Sequence, residues 1–354
     1  MKKRKWFVTA CVVVLIAVFA AGCSSASQQT GQSPKQLERN APSDKKEPVA
    51  ITIGVPVVAL SSAIFPIAEA AGYFEEEGLN AEFATIPAGS SKAALLNREV
   101  EAIAFDTSTI FDMADTRQAL MIQQVTNSIT LDVVVSKEYA EKKGVSPESP
   151  LEDRIKALQG AKMATLSLGG LPHRVMSYLL SSVGLDHERD FEVVALQNPP
   201  AALAALAQGE IDGFALSAPN SIQAEMQGTG IVLISHADVP SFRDVPTTGL
   251  VVLREFAESN PEEVRRIVRA LGKAHELLAN DQEASVRYLS TYFPNLDPEL
   301  LRRSLVSMQS VWGNRGRMTE EGMQESIRFF AESGFIDGDV EIEEGVHWTN
   351  KFNE

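Results

Sequence analysis

The sequence predicts an α/β protein of two lobes followed by a helical C-terminal part, and three observations carry that prediction. From Ala50 onward, strand-like runs alternate with helix-like ones, the pattern of proteins with mainly parallel sheets. Two stretches 111 residues apart align without a gap. The last hundred residues lose the strand pattern and take up helical periodicity with repeated start signals.

The elements follow in order. AITIGV (residues 50–55) reads as a first strand, and Ile64, Ile67, Ala68, Ala71 and Phe74 then fall on one helical face. Pro66 suits the first turn of that helix and Gly78 its stop. Further strands are predicted at residues 81–86, 101–105, 120–126, 131–136, 161–167, 191–196, 211–216, 231–235 and 249–254. Helix starts then recur at Asn260-Pro261-Glu262-Glu263, Asp297-Pro298-Glu299 and Thr319-Glu320-Glu321.

The internal match pairs ALLNREVEAIAFD (94–106) with ALAQGEIDGFALS (205–217), so that Leu95 meets Leu206, Glu99 meets Glu210 and Glu101 meets Asp212. Each is a helix running into a strand. Upstream of each lies a similar turn, Gly78-Leu79-Asn80 and Gly184-Leu185-Asp186. Two lobes on one plan are expected, the second inserted into the first: residues 50–135 with 246–354, and residues 136–245. Crossings are expected near Val135 to Lys137 and Ser235 to Val245. Such lobes leave a crevice, and open α/β sheets bind ligands at the carboxyl ends of their strands.

Composition narrows the chemistry. With 32 basic against 47 acidic residues, the formal charge is −15, which offers no general attraction to nucleic acid or anionic lipid. Cys11 and Cys23 are the two cysteines, so the body has no disulfide framework, cysteine metal site or catalytic thiol. His173, His187, His236, His275 and His347 are scattered without metal-ligand spacing, and no phosphate loop, nucleophile elbow or dinucleotide fingerprint occurs. No metal and no cofactor is expected.

The first 50 residues read as an address. Lys2, Lys3, Arg4 and Lys5 precede an apolar run from Trp6 to Ala21, which suits export better than a membrane span. Ala20-Ala21-Gly22-Cys23 resembles the lipobox of bacterial lipoproteins, which implies a signal peptide at 1–22 and a lipid on Cys23. Residues 23–49, rich in Ser, Gln, Lys and Pro, read as a flexible tether. Removing residues 1–22 takes away four basic side chains and no acidic one, which moves the formal charge from −15 to −19.

The body resembles the substrate-binding lipoproteins of ABC importers, in the nitrate, sulfonate and taurine group that also holds pyrimidine-precursor binders. The residues that carry it are IAEAAGYFEEEGLNAE (67–82), Leu95 to Phe105 and QGEIDG (208–213). The resemblance implies a periplasmic-binding-protein-like fold of type II, with two α/β lobes and a ligand cleft between them. It implies no enzyme, a small-molecule solute, and permease and ATPase partners on other chains. One departure stands out: where relatives carry an acid and then Pro-aromatic, this chain has Ser217-Ala218-Pro219-Asn220.

Candidate site residues come from the turns at strand ends, where helix-start N–H groups favour an anion. Ser61-Ser62 precede the first helix, Ala88-Gly89-Ser90-Ser91 the second, and Leu168-Gly169-Gly170 the helix opened by Pro172. Each could equally be an ordinary cap or tight turn. Asp106-Thr107-Ser108, with Ser217 as its counterpart in the second lobe, reads either as a helix cap or as an acceptor for a ligand ammonium. Thr126-Asn127-Ser128 forms a polar wall or a turn, and Asn220 stands beside Ser217. His173-Arg174 is the most pointed pair, because a guanidinium grips sulfonate or carboxylate oxygens two at a time. Phe65 is the one aromatic in these loops, Glu75-Glu76-Glu77 reads as a solvated helix end, and Trp312 and Trp348 read as packing anchors.

The expected function is a lipid-anchored solute receptor, monomeric, closing its lobes on an aliphatic sulfonate, taurine or nitrate and docking on a permease. Alternatives are a binder of a thiamine-precursor pyrimidine and a sensory lipoprotein without a transport partner.

Overall fold

The alternation that begins at residue 49 folds into two five-stranded sheets in a computed structural model that describes residues 47–55, 59–86, 88–111, 113–196, 198–334, 336 and 340–353. The expected signal peptide, the expected lipidation site Cys23 and most of the expected tether lie outside the described residues.

In the first sheet, β1 (Val49–Val55) alternates, with Ile51, Ile53 and Val55 turned into the core. It is followed by α1 (Ile64–Ala70), α2 (Tyr73–Glu76), β2 (Leu79–Thr85), α3 (Ala88–Leu96), β3 (Ala102–Asp106), α4 (Thr107–Phe111) and β4 (Ala119–Ser128). The single helix expected between the first two strands is two short ones. Gly72 at φ 74° breaks them apart, a left-handed conformation that glycine adopts without steric cost.

The chain then enters the second sheet: β5 (Leu131–Ser136), α5 (Lys137–Lys143), α6 (Leu151–Lys156), β6 (Lys162–Thr165), α7 (Leu171–Ser182), β7 (Glu192–Ala195), α8 (Pro199–Ala207), β8 (Gly213–Ser217), α9 (Asn220–Met226) and β9 (Gly230–Ile234). It returns through β10 (Arg243–Leu253) and ends in helices α10 (Arg254–Ser259), α11 (Pro261–Asn280), α12 (Gln282–Tyr292), α13 (Pro298–Ser307) and α14 (Glu320–Glu332). Each predicted strand run overlaps one of these strands, and the start signals at Asp297 and Thr319 cap α13 and α14.

The strand orders are β2-β1-β3-β10-β4 and β7-β6-β8-β5-β9. Within each, three parallel strands are joined by helices, and the fourth strand runs antiparallel. The matched acids of the internal repeat do the same job twice. Glu101 Oε2 accepts from the Thr52 amide at 2.6 Å, and Asp212 Oδ2 accepts from the Lys162 amide at 2.8 Å. Each carboxylate brackets the first of its lobe's three parallel strands against the third, β1 against β3 and β6 against β8.

The first crossing comes earlier than the pattern suggested. β5 pairs with β8 and β9 from Leu131 onward, so residues 131–135 belong to the second sheet and only Ile129 and Thr130 join the two. LDVVVS is buried throughout save its last residue, and Val133 to Val135, apolar on both faces, suit a strand flanked on both sides, here by β8 and β9.

The C-terminal helices serve the first sheet. α11 turns Val264, Ile267, Val268, Leu271, Ala274 and Leu278 inward, and Trp312, Trp348 and Phe352 are buried beside that sheet. The outer edge of β4 is closed by the chain end, where the Met121 amide donates to His347 O and the Thr349 amide to Met121 O, both at 2.9 Å. No helix among the described residues is long and apolar enough to cross a membrane.

Candidate ligand-binding site

The carboxyl ends of β1, β2 and β3 in one lobe and of β6 and β8 in the other carry most of the candidate residues. In the first lobe, Ser61 and Ser62 form a single 3-10 turn, both half-buried, and neither caps α1, whose N-cap is Ala63. Gly89 and Ser90 do not precede a helix: they lie in the first turn of α3, with Ser90 exposed and Ser91 buried. Glycine and serine are tolerated there because the first-turn N–H groups have no intrahelical partner to lose.

Asp106 ends β3 opposite Thr248. Its Oδ1 accepts from the Ser108 amide at 3.0 Å and the Ser108 hydroxyl at 2.7 Å, so it does cap α4. Its Oδ2 takes no partner among the described residues and stays half-buried, which leaves a carboxylate oxygen for a cationic group. Thr107 is a correction: its hydroxyl is fully buried and donates to Pro246 O at 2.7 Å, a structural tie to β10.

In the second lobe the turn before α7 is built by two glycines. Gly169 stands at φ 75°, and a Cβ on Gly170 would lie 2.5 Å from Ser167 Oγ. The Gly169 amide donates to His173 Nδ1 at 3.0 Å, which places the lone pair there and the ring proton on Nε2. Burial, with His187 and Arg174 beside it, holds His173 below its ordinary pKa, so it is a neutral donor at pH 7. Arg174 Nε donates to Gly169 O at 2.8 Å, and its Cζ stands 5.1 Å from the centre of the Phe330 ring. The guanidinium is therefore held in place, half-buried, at the start of α7 and against a helix of the other lobe.

Ser217 and Asn220 mark the end of β8. Ser217 Oγ shares a hydrogen bond of 2.9 Å with Thr130 Oγ1, and Asn220 Nδ2 donates to Ser217 O at 3.3 Å. Ser217 is thus the end of a hydroxyl pair joining β8 to the crossing. Asn127, with Ser128 donating to its Oδ1 at 3.3 Å, lines a hollow of about 360 Å³ at the crossings together with His236, Phe242 and Arg243. The Thr126 hydroxyl is buried and turns back to Ser128 O.

The lobes touch through Arg174 on Phe330, and Phe330 meets the Phe111 edge at 5.8 Å, at the far end of the helix that Asp106 caps. Ala218 and Ile222 pack into the core of the first lobe on the other flank. Sequence reasoning missed Thr130, Asp132, Ser221 and His236, whose partners lie far along the chain, and it missed two aromatics. Phe83 and Tyr292 join Phe65 around a small hollow of about 50 Å³ that Ser62 also lines. Among the described residues no group of three or more His, Cys, Asp or Glu could hold a metal.

Comparison with known proteins gives the same architecture. A model of the NMT1-like family matches residues 44–289. The periplasmic aliphatic sulphonate binding protein SsuA from Escherichia coli superposes with a TM-score of 0.64 at 20% identity, covering 83% of this chain and 90% of that one. The periplasmic nitrate-binding protein NrtA from Synechocystis PCC 6803 gives 0.62 at 15% identity, covering 83% and 84%. These likenesses establish a periplasmic-binding-protein-like fold. The bicarbonate transport ATP-binding protein CmpC of Synechocystis is 29% identical over 137 residues, which are 35% of this chain and only 20% of that relative's length.

Proposed function

The chain belongs to the NMT1-like family, and from that premise we propose that it is the extracytoplasmic solute receptor of an ABC importer, held by a lipid on Cys23 and a tether over residues 23–49. Its lobes, residues 50–130 with 243–354 and residues 131–242, close on a small zwitterion or anion of the sulfonate, taurine or nitrate kind and present it to a permease. The observation that carries this reading is the opposed charge at the two strand ends: Asp106 Oδ2 in one lobe, and the fixed guanidinium of Arg174 with the Nε2–H of His173 in the other. A carboxylate suits an ammonium, and a planar guanidinium beside a helix start suits sulfonate oxygens. Binding of this kind is non-covalent, and nothing in the site calls for an activated nucleophile.

A thermal-shift panel of taurine, alkanesulfonates, nitrate and an aminopyrimidine tests it. A solute at 100 times its Kd stabilises the native state by about 2.7 kcal/mol, which is easily read as a raised Tm. The largest shift is expected with taurine. Asp106→Asn is expected to remove the advantage of taurine over ethanesulfonate, and Arg174→Met to abolish both shifts. No shift with any member of the panel would count against the receptor.

The hollow of Phe65, Phe83 and Tyr292 favours one second reading, a pyrimidine held by rings. In that case the aminopyrimidine alone would raise the Tm, and Tyr292→Ala would remove its effect.

A further inference from the structure

Two crossings join the lobes, and the polar contacts around them are shared unevenly. The first is Ile129 and Thr130; the second runs from 235 to 242. A backbone hydrogen bond of 3.0 Å, from the Ile129 amide to Phe242 O, ties one to the other.

The first half of the second crossing takes its buried side-chain hydrogen bonds from the second lobe, and the first lobe reaches it through the exposed Arg243, whose Nη2 donates to Ala237 O at 3.1 Å. Asp132, 3% exposed and near the start of β5, accepts at Oδ1 from the His236 amide at 3.0 Å and from His236 Nδ1 at 2.7 Å. Its Oδ2 accepts from Ser221 Oγ at 2.7 Å, on a residue that is fully buried. A carboxylate taken out of water needs such donors, and three of them fix its place. Arg154, 7% exposed, donates from Nη1 to Leu233 O at 3.1 Å and to Asp238 Oδ2 at 2.6 Å. Asp238 in turn closes a capping box with Ser235.

The second half is held differently. Phe242 is buried between a ring of each lobe, 6.0 Å from Tyr178 on α7 and 6.3 Å from Phe329 on α14. The hydrophobic burial of these rings is non-directional compared with charged hydrogen bonds, and it tolerates a change of angle.

We propose that Asp132 and Arg154 are positioning residues for lobe closure: they make residues 235–238 part of the second lobe, so the lobes turn only at Ile129–Thr130 and at residues 239–242, on Phe242 as the bearing. Bending is then confined to two short spans already tied together, which gives closure one axis instead of many. This rests on reading the protein as a two-lobe receptor, and it adds to that reading where the axis lies and which side chains hold it.

The test is orientation by residual dipolar couplings on the full chain without solute, so that it can fail independently of the solute panel. In the wild type the amide couplings of residues 235–238 are expected to fit the alignment tensor of β5, β6 and β8. In Asp132→Ala, where both His236 N–H groups and Ser221 Oγ lose their acceptor, those couplings fit neither lobe and the tensors of the two lobes diverge. Amide exchange at His236 and Asp238 then speeds up by roughly tenfold while β8 is unchanged. Ser221→Ala and Arg154→Met are milder changes expected to show the same pattern, and they carry the test if Asp132→Ala does not fold. Wild-type couplings at 235–238 that follow the first lobe would overturn the proposal. So would folded variants in which those couplings still follow the second lobe and the lobes keep their relation, even with a lowered Tm.

Discussion

The two lobes share a plan and differ in what they do with it. Both set three parallel strands beside an antiparallel one, and both bracket the first strand with an acid from the turn before the third, Glu101 and Asp212. Yet β3 ends in Asp106 and β8 in Ser217, and the second lobe holds a buried polar centre of Asp132, Ser221 and His236. The first lobe instead carries the C-terminal helices. The repeated residues are those the fold needs, because a backbone bracket works wherever the strand order recurs. The residues that could meet a ligand lie where the copies diverge.

The contact between the lobes is the place to break the comparison hardest. Phe330 is fully buried against Phe111, Phe329 and Arg174, so Phe330→Ala removes a ring that both lobes share. A loss of about 3–5 kcal/mol is expected. Phe214→Ala should cost as much, but within the second lobe's own core. Denaturant unfolding is expected to split into two transitions for Phe330→Ala and to stay single for Phe214→Ala; coincident single transitions in both would mean that the lobes are coupled elsewhere.

Acid should act first on the first lobe. His275 is fully buried on α11, and burial lowers its pKa from 6.5 to about 4, the hydrogen bond to Gln124 O acting against that. A histidine held neutral in the native state costs nothing above pH 6.5. Between about 6.5 and 4 the unfolded chain takes up a proton that the native chain refuses, so stability falls with pH and the loss is complete below the native value, about 3 kcal/mol in all. His275→Gln should flatten that part of a stability-against-pH curve.

The brackets offer a sharper equality. Glu101→Gln and Asp212→Asn each weaken one charged hydrogen bond to a strand amide, and each is expected to cost about 1 kcal/mol in urea denaturation. A difference of more than roughly 2 kcal/mol would show that the two acids are not equivalent.

The smallest effect comes from one matched turn. Arg98 at φ 59° and Gly209 at φ 69° occupy the same place in the repeat, and only glycine enters that region freely. The Arg98–Glu255 ion pair is well exposed, with side chains 67% and 71% accessible, and offsets little. Arg98→Gly is therefore expected to stabilise by about 0.5–1 kcal/mol, and Gly209→Ala to destabilise by a similar amount.

The strands were legible because their signal is local. β1 alternates, β5 carries three valines in a row, and a period of two or an unbroken run can be read in six residues. The repeat was legible because Glu101 and Asp212 each stand one residue before the strand that follows them, β3 and β8. Of the candidate site, the contacts among Gly169, His173 and Arg174 were legible, since the three lie within six residues and their contacts follow from the turn that opens α7. Thr107 was misjudged because the carbonyl it binds, that of Pro246, is 139 residues away.

Sequence alone therefore settled what depends on neighbours along the chain: strands, caps, the duplicated plan and the types of group available at each strand end. Tertiary structure decided which of those groups are already spent. It gave Thr107 to β10, Ser217 to Thr130 and Asp132 to His236, and it set Arg174 on a ring from the other lobe. The reason is physical: a buried polar group must find a partner, and in a two-lobed chain that partner is set by which distant segments pack together, which no local pattern encodes.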